Sequence, residues 1–464
     1  MIQLTPLRIL LGSFLLVVTA SSRLDGADPP NIVLILADDL GWADLGCYGN
    51  RFNETPRIDR LASQGIRFTN FYAGPVCSPT RANLQSGQDQ ARFGITQHIP
   101  GHRRPFAKLD DPVVAPHLPL EVETFAERLR ESGYRTGYFG KWHLGGAGYG
   151  PEVQGWETAV ESTGHTVKQA GNKRQGEGST ARAAAFLTSR AIEFIETNRE
   201  RPFLVQISPS AVHLPITPPR DLVAKYLAKP PVDGYPSLPE YAGLVEELDN
   251  AVGQLLDALD RLQLQDNTLV IFVSDNGGLV HQQNGEIVTS NAPLRGEKGT
   301  LYEGGIRVPA IVRWPGHVAA GTSSHTPCTT IDLQPTLVKI AAASPADQPR
   351  DGVAIDSLFN TPHGSLSRDT LFWHLPHYHH STPASAIRRG NWKLIEFFET
   401  GTIELYNLAD DLGESNNLAS SQPAKASELK AGLAQWRKSV DARMPVPNPQ
   451  HDPQRANQLA RKAK

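Results

Sequence analysis

Short unbroken apolar runs alternate along this chain with segments in which apolar residues recur every three or four positions. Asn31 to Ala37 (NIVLILA) is a nearly continuous aliphatic run that stops at Asp38-Asp39, which predicts a buried parallel strand ending in a functional loop. A short helix starting near Thr55 or Pro56 and a strand over Ile66 to Phe71 follow. The plan repeats with a helix from about Val122, a glycine stop at Gly133, a strand toward Gly140, and another strand over Phe203 to Ile207. In the longest helical pattern Leu244, Leu248, Val252, Leu255 and Leu259 mark one face, and acidic groups occupy much of the other. A further apolar run, Leu269 to Val273, leads to Asp275-Asn276. This alternation predicts an α/β core with helices on both faces of a mostly parallel sheet. Catalytic groups should gather outside the carboxyl ends of its strands.

The pattern changes after the loop-rich stretch from Pro345 to Arg368. SAIRRGNWKLIEFFETGTIELYNLADD reads as short antiparallel strands joined by glycine-containing turns, and AKASELKAGLAQWRKSVDARM as a terminal helix. A catalytic unit over 28–345 and a smaller α+β unit over 346–445 are therefore expected. Beyond Pro445 the chain is polar and aperiodic, so 446–464 is expected to be a flexible tail. Near the N-terminus, Arg8 precedes an apolar run ending in small residues, which reads as a secretory signal cut at Ala20 or as late as Ala27. Export to the periplasm or the exterior is the expectation. A spanning helix needs about 20 apolar residues, and no stretch reaches that length, so no stable membrane insertion is expected.

The chain has 464 residues, 39% hydrophobic, enough for one large domain and a smaller one. A net charge of -3 gives no basic field for general nucleic-acid binding, although a local cluster of basic residues would hold small anions. Three cysteines do not make a disulfide framework. Core burial is the default for Cys47 and Cys328, and their pairing stays open.

Asp38-Asp39 and Asp275-Asn276 end two predicted central strands. Either pair alone is an ordinary strand stop. Together they offer carboxylate and amide oxygens at one sheet edge, a donor set suited to Ca²⁺ or Mg²⁺. GKWHLGG contributes Lys141 and His143, two apart and hence on one face of an extended strand. His213 follows another strand, and Lys298 lies in a glycine-rich stretch. GPVCSPTRANLQSG places Cys77 two residues before Pro79 and four before Arg81. On its own, Cys77 reads equally as a small buried hydrophobe or as a reactive, modified residue.

Taken together these motifs resemble the type I sulfatase family, close to its arylsulfatase-A-like group. The maturation signature Cys-x-Pro-x-Arg is intact as Cys77-Ser78-Pro79-Thr80-Arg81, and the likeness runs from Asn31 through roughly Ala419. The resemblance implies an alkaline-phosphatase-like α/β domain, its mostly parallel sheet sandwiched by helices, followed by a smaller α+β domain with an antiparallel sheet. It implies that Cys77 is oxidised to Cα-formylglycine by a formylglycine-generating or anaerobic sulfatase-maturating enzyme, and that the hydrated aldehyde is the nucleophile. Asp38, Asp39, Asp275 and Asn276 would surround one Ca²⁺, which modified Cys77 approaches. Arg81 would orient the modified side chain, and Lys141 and Lys298 would contact sulfate. Asp275 would assist the first deprotonation, His213 with Lys298 would protonate the leaving oxygen, and His143 would act in the second step.

The same signature occurs in some phosphonate monoester hydrolases, so a phosphonate monoesterase or phosphodiesterase is the enzymatic alternative. A secreted glycan-binding pseudoenzyme is the non-enzymatic one. LFWHLPHYHHSTPASAIRRGNWKL sets His374, His377, His379 and His380 among aromatic residues and prolines. The segment is similar to one in sugar-acting sulfatases, which points to a sulfated carbohydrate as substrate, with His374 and His377 as binding residues. A packed interdomain loop is the other reading of it.

Overall fold

In this computed structural model, residues 29–168, 180–280, 282–283 and 286–460 are described. The expected signal segment lies outside them.

The large unit is built on β1 (Asn31–Ala37), β2 (Ile66–Tyr72), β3 (Arg135–Gly140), β4 (Thr158–Glu161), β5 (Phe203–Ser208), β6 (Thr268–Ser274), β7 (Arg307–Arg313) and β8 (Thr322–Ser324). Their order in the sheet is β8-β2-β7-β6-β1-β5-β3-β4, and Cys328–Thr329 adds a ninth strand beside β2. β1 pairs in parallel with both β5 and β6. β7 alone runs against its neighbours, antiparallel to both β2 and β6.

The sheet is mostly parallel and buried on both faces, as the continuous apolar runs require. Alternate residues of β1 feed opposite cores: Ile32, Leu34 and Leu36 pack into one, Val33, Ile35 and Ala37 into the other. The first core is roofed by α2 (Cys77–Ser86), α3 (Phe125–Glu131) and α6 (Leu333–Ile340). The second is roofed by α1 (Pro56–Ser63), α4 (Ala183–Asn198) and α5 (Pro239–Arg261), the long amphipathic helix. The helix expected from Val122 begins three residues later. Thr124 and Glu127 form a reciprocal capping box there, and this sets the start.

The smaller unit is the antiparallel sheet β9 (Thr370–Leu375), β10 (Ala384–Arg389), β11 (Trp392–Phe397) and β12 (Ile403–Asn407). One face is covered by α7 (Pro423–Ser439) through Leu429 and Leu433. The other packs on Tyr72, Leu301 and Ile306 of the large unit. Lys393 is buried at this junction, 2.9 Å from Glu303 and 2.8 Å from Glu414.

The segment expected to be a flexible tail is described through residue 460, largely exposed but hydrogen-bonded to the large unit. Val446–Pro447 pairs with Leu109–Asp110, and Asn448 Nδ2 donates to the Pro105 and Ala107 carbonyls at 3.0 and 2.8 Å. Its order comes from polar bonds to a distant loop, and these leave no mark on hydrophobic periodicity. All three cysteines are free.

Candidate active site

β2 ends at Tyr72, and a short turn leads into α2, whose first residue is Cys77. Cys77 and Arg81, four residues apart, lie one helical turn apart on the same face. Pro79 sits in the first turn, where a missing N–H breaks no helical hydrogen bond. Ser78 Oγ donates to the His143 carbonyl at 2.8 Å and accepts the Ile99 N–H at 3.1 Å, tying the helix start to two neighbouring loops. Every residue of α2 is buried, and the positive end of its dipole lies at Cys77.

The strand-end pairs meet because β1 and β6 run in register, Ala37 beside Ser274. The Asp275 N–H donates to the Ala37 carbonyl at 3.0 Å, and the Asp39 N–H to Asp275 Oδ1 at 3.2 Å. Asn276 Nδ2 donates to Asp39 Oδ1 at 2.8 Å. Asp39 has φ of 64°, a left-handed conformation that aspartate tolerates better than most side chains. Ligand atoms of Asp38, Asp39, Cys77 and His213 lie within 4.8 Å of one another. Cys77 Sγ is 3.4 Å from Asp38 Oδ1 and 3.4 Å from Lys298 Nζ.

Three cations answer the three carboxylates. Lys141 Nζ donates to both oxygens of Asp38 at 3.0 and 2.7 Å, and Lys298 Nζ to both of Asp39 at 2.6 and 2.8 Å. Arg81 donates twice to Asp275 Oδ2, at 3.2 and 2.8 Å, and once to the Lys141 carbonyl at 2.5 Å. Burial pushes the carboxyl of Asp38 up, but Lys141, His213, Arg81 and Lys298 outweigh it and hold it well below the usual range. For Asp39 burial is likewise outweighed, chiefly by Lys298. Asp275 goes the other way: burial, then the charge of Asp38, lift it to about 6 despite Arg81. Burial and Asp275 push the Cys77 thiol up, so an unmodified Cys77 is a neutral thiol and a poor nucleophile.

Asn276 Oδ1 is buried and has no hydrogen-bond partner among the described residues. An orphaned amide oxygen beside three crowded carboxylates is the donor set of a hard divalent cation, and the site fits one.

The two histidines present opposite nitrogens. His143, at φ of 60°, donates Nε2–H to the Ile99 carbonyl at 2.7 Å, because a carbonyl only accepts. Its Nδ1 has no hydrogen-bond partner among the described residues and is the basic nitrogen, and burial lowers the imidazole to about 4, keeping it neutral near pH 7. His213 uses Nδ1 toward the Leu214 carbonyl at 2.6 Å, leaving Nε2 3.6 Å from Asp39 Oδ2. The His213 loop is fixed to the end of β1 by reciprocal bonds between Asp38 and the Ala211 and Val212 backbone.

These groups open into a cavity of about 590 Å³, to which Cys77, Lys141, His143, His213 and Lys298 all contribute. His374 and His377 do not reach it. His374 lies within β9, with Nδ1 2.7 Å from Ser385 Oγ and Nε2 2.9 Å from the Arg443 carbonyl. His377 is buried against Thr96 at 2.7 Å. The next pair along the same segment, His379 and His380, lines the cavity instead. His98, His102, Arg104 and Tyr378 line it too, and sequence reasoning missed them. The run HIPGHRR, dense in basic groups soon after the Cys77 motif, was the available signal.

A family model described as Sulfatase matches residues 30–343, and one described as N-sulphoglucosamine sulphohydrolase, C-terminal, matches 296–439. The chain is 33% identical to a sulfatase of Formosa agariphila, over 88% of each chain. It is 32% identical to human arylsulfatase A, over 90% of this chain and 89% of that one. Among solved structures, Ps i-CgsB in complex with k-i-k-neocarrahexaose superposes with a TM-score of 0.75 at 28% identity, covering 90% of this chain and 94% of the other.

Proposed function

The chain belongs to the sulfatase family and is a sulfate-ester hydrolase; from that premise we propose a formylglycine nucleophile made from Cys77, a bound calcium ion, and a sulfated saccharide as substrate. The observation that carries this reading is the setting of Cys77 at the start of a buried helix, 3.4 Å from both the Asp38 carboxylate and the Lys298 ammonium. A thiol raised by burial is inert there, whereas a hydrated aldehyde offers two hydroxyls among charged groups.

Asp38, Asp39, Asp275 and Asn276 would hold the calcium ion. When bound, it supplies Lewis-acid stabilisation of negative charge. Lys141, Lys298 and Arg81 balance the three carboxylates, so a divalent ion leaves two positive charges for the ester sulfate and an ionised hydroxyl. Asp275, beside Cys77 at the end of the central strand, takes the first proton. A hydrated formylglycine at Cys77 would supply the hydroxyl that displaces the alcohol from sulfur. His213, with Lys298 alongside, would protonate the departing alcohol oxygen, and His143 Nδ1 would take the proton of the second hydroxyl as sulfate is released.

The saccharide reading is supported by the oligosaccharide bound to Ps i-CgsB and by a cavity large enough for a sugar. Maturation would need a formylglycine-generating or anaerobic sulfatase-maturating enzyme. Export to the periplasm or exterior is supported by the apolar run after Arg8; no helix among the described residues is long and apolar enough to cross a membrane.

Mass spectrometry of the Cys77 peptide from the native host is expected to find formylglycine or its hydrate. Cys77→Ala, which leaves no side-chain sulfur or oxygen to become an aldehyde, is expected to fold and to lose sulfate release almost completely. A folded C77A protein with wild-type turnover would sink the nucleophile assignment.

A further inference from the structure

The cavity wall carries a charge of a different kind from those at its floor. Lys141 and Lys298 at the floor are each paired with a carboxylate, Asp38 and Asp39. Among the described residues that line the cavity none is acidic. Among the described residues, the partners of Arg104 on the wall are neutral. One Nη donates to Asn457 Oδ1 at 3.1 Å, the other to the His379 carbonyl at 3.0 Å, and the guanidinium lies 5.5 Å from the centre of the Tyr378 ring. Neutral acceptors orient a guanidinium without cancelling its charge, and its planar fork matches sulfate and carboxylate alike.

The loop that carries Arg104 is clamped from the other side by the C-terminal segment. Besides the Asn448 bonds, the Asp452 N–H donates to the Phe106 carbonyl at 3.1 Å and the Ala460 N–H to the Arg103 carbonyl at 2.9 Å. Arg455 stacks 3.3 Å from the centre of the Phe106 ring, and Leu459 of the same segment lines the cavity. The charge is therefore held in a fixed place, and pre-organisation of this kind lowers the ordering cost of binding. Burial, then neighbouring positive groups, holds His98 and His379 on the same cavity wall down to about 3 and about 2, so these two imidazoles add no charge of their own near pH 7.

A single sulfate ester uses the floor of the cavity and leaves this cation unanswered. We propose that Arg104 anchors a second anion subsite, which recognises another sulfate or a carboxylate on the saccharide whose sulfate ester is hydrolysed. This rests on the saccharide reading above. Asn457 and the rest of the C-terminal segment are positioning residues for it.

The test measures sulfate release by the matured full-length protein on saccharide pairs that differ by one anionic group. Mono- and disulfated galactose and mono- and disulfated N-acetylhexosamine read a second sulfate. A sulfated disaccharide with a neutral or a uronic acid neighbour reads a carboxylate. For at least one pair, kcat/KM is expected to favour the doubly anionic member by about tenfold, and the preference should shrink with added salt. Arg104→Gln should bring that ratio close to one, and Arg104→Lys should keep part of it. A ratio unchanged in R104Q, or preference for the singly anionic member in every pair turned over, overturns the subsite and leaves the sulfatase reading standing. Hydrolysis of an aryl sulfate with no saccharide turned over overturns the saccharide reading, and the subsite with it.

Discussion

Replacing Arg81 tests the charge balance on which the site rests. Its side chain is 2% exposed, and it donates twice to Asp275, once to the Lys141 carbonyl, and lies 3.8 Å from Asp38. Alanine would leave Asp275 buried beside Asp38 with no cation bonded to it. Breaking a buried ion pair from one side is destabilising by about 3–5 kcal/mol. The same truncation at Arg57, whose pair with Asp257 is 45% and 52% exposed, should change stability by less than about 1 kcal/mol. Arg81→Lys keeps the charge but loses the fork, since one ammonium cannot span Asp275 and the Lys141 carbonyl together. Its cost should fall between, about 1.5–3 kcal/mol, the range of a hydrogen bond to a charged group. Urea unfolding of the full chain in chelator, followed by circular dichroism and tryptophan fluorescence, would rank the variants. The expected order is wild type and R57A together, then R81K, then R81A, with turnover of an aryl sulfate lost in both Arg81 variants. If R81A unfolds within 1 kcal/mol of R57A, the carboxylates do not depend on that guanidinium and the reasoning is wrong.

His143→Asn keeps a residue that tolerates the left-handed backbone but removes the free basic nitrogen, so sulfate release should fall by about 10²–10⁴ with the circular dichroism spectrum retained. A loss of less than tenfold would remove His143 from proton transfer. At the junction of the two units, burial pushes the Glu303 carboxyl up, but Lys393, Arg307 and Arg388 hold it down to about 2, against an ordinary 4.5. A folded value below the unfolded one means its stabilisation is complete above about pH 4.5 and is lost as pH falls toward about 2. Acid unfolding of wild type and E303Q should therefore differ in slope across that window, and parallel curves would contradict the assignment.

Most of the framework was legible in the chain itself. Asn31–Ala37 is a strand with the bounds its apolar run suggests, because a strand buried on both faces must be apolar at every position. The long helix was equally plain, since its core-facing leucines recur at helical spacing. The spacing of Cys77 and Arg81 already contained their shared helical face, although the helix itself was not evident in the pattern. Tertiary structure alone decided which charges meet. Arg81 finds Asp275 across 194 residues and Lys298 finds Asp39 across 259, pairings set by the order and register of strands. It also reversed β7 relative to its neighbours, brought His379 and His380 to the cavity in place of His374 and His377, and bound the polar C-terminal segment against the loop of Arg104. Hydrophobic periodicity reports how a segment meets the core, one residue at a time. The partner of a polar group depends on which distant loop the closed fold brings beside it, and no local pattern carries that.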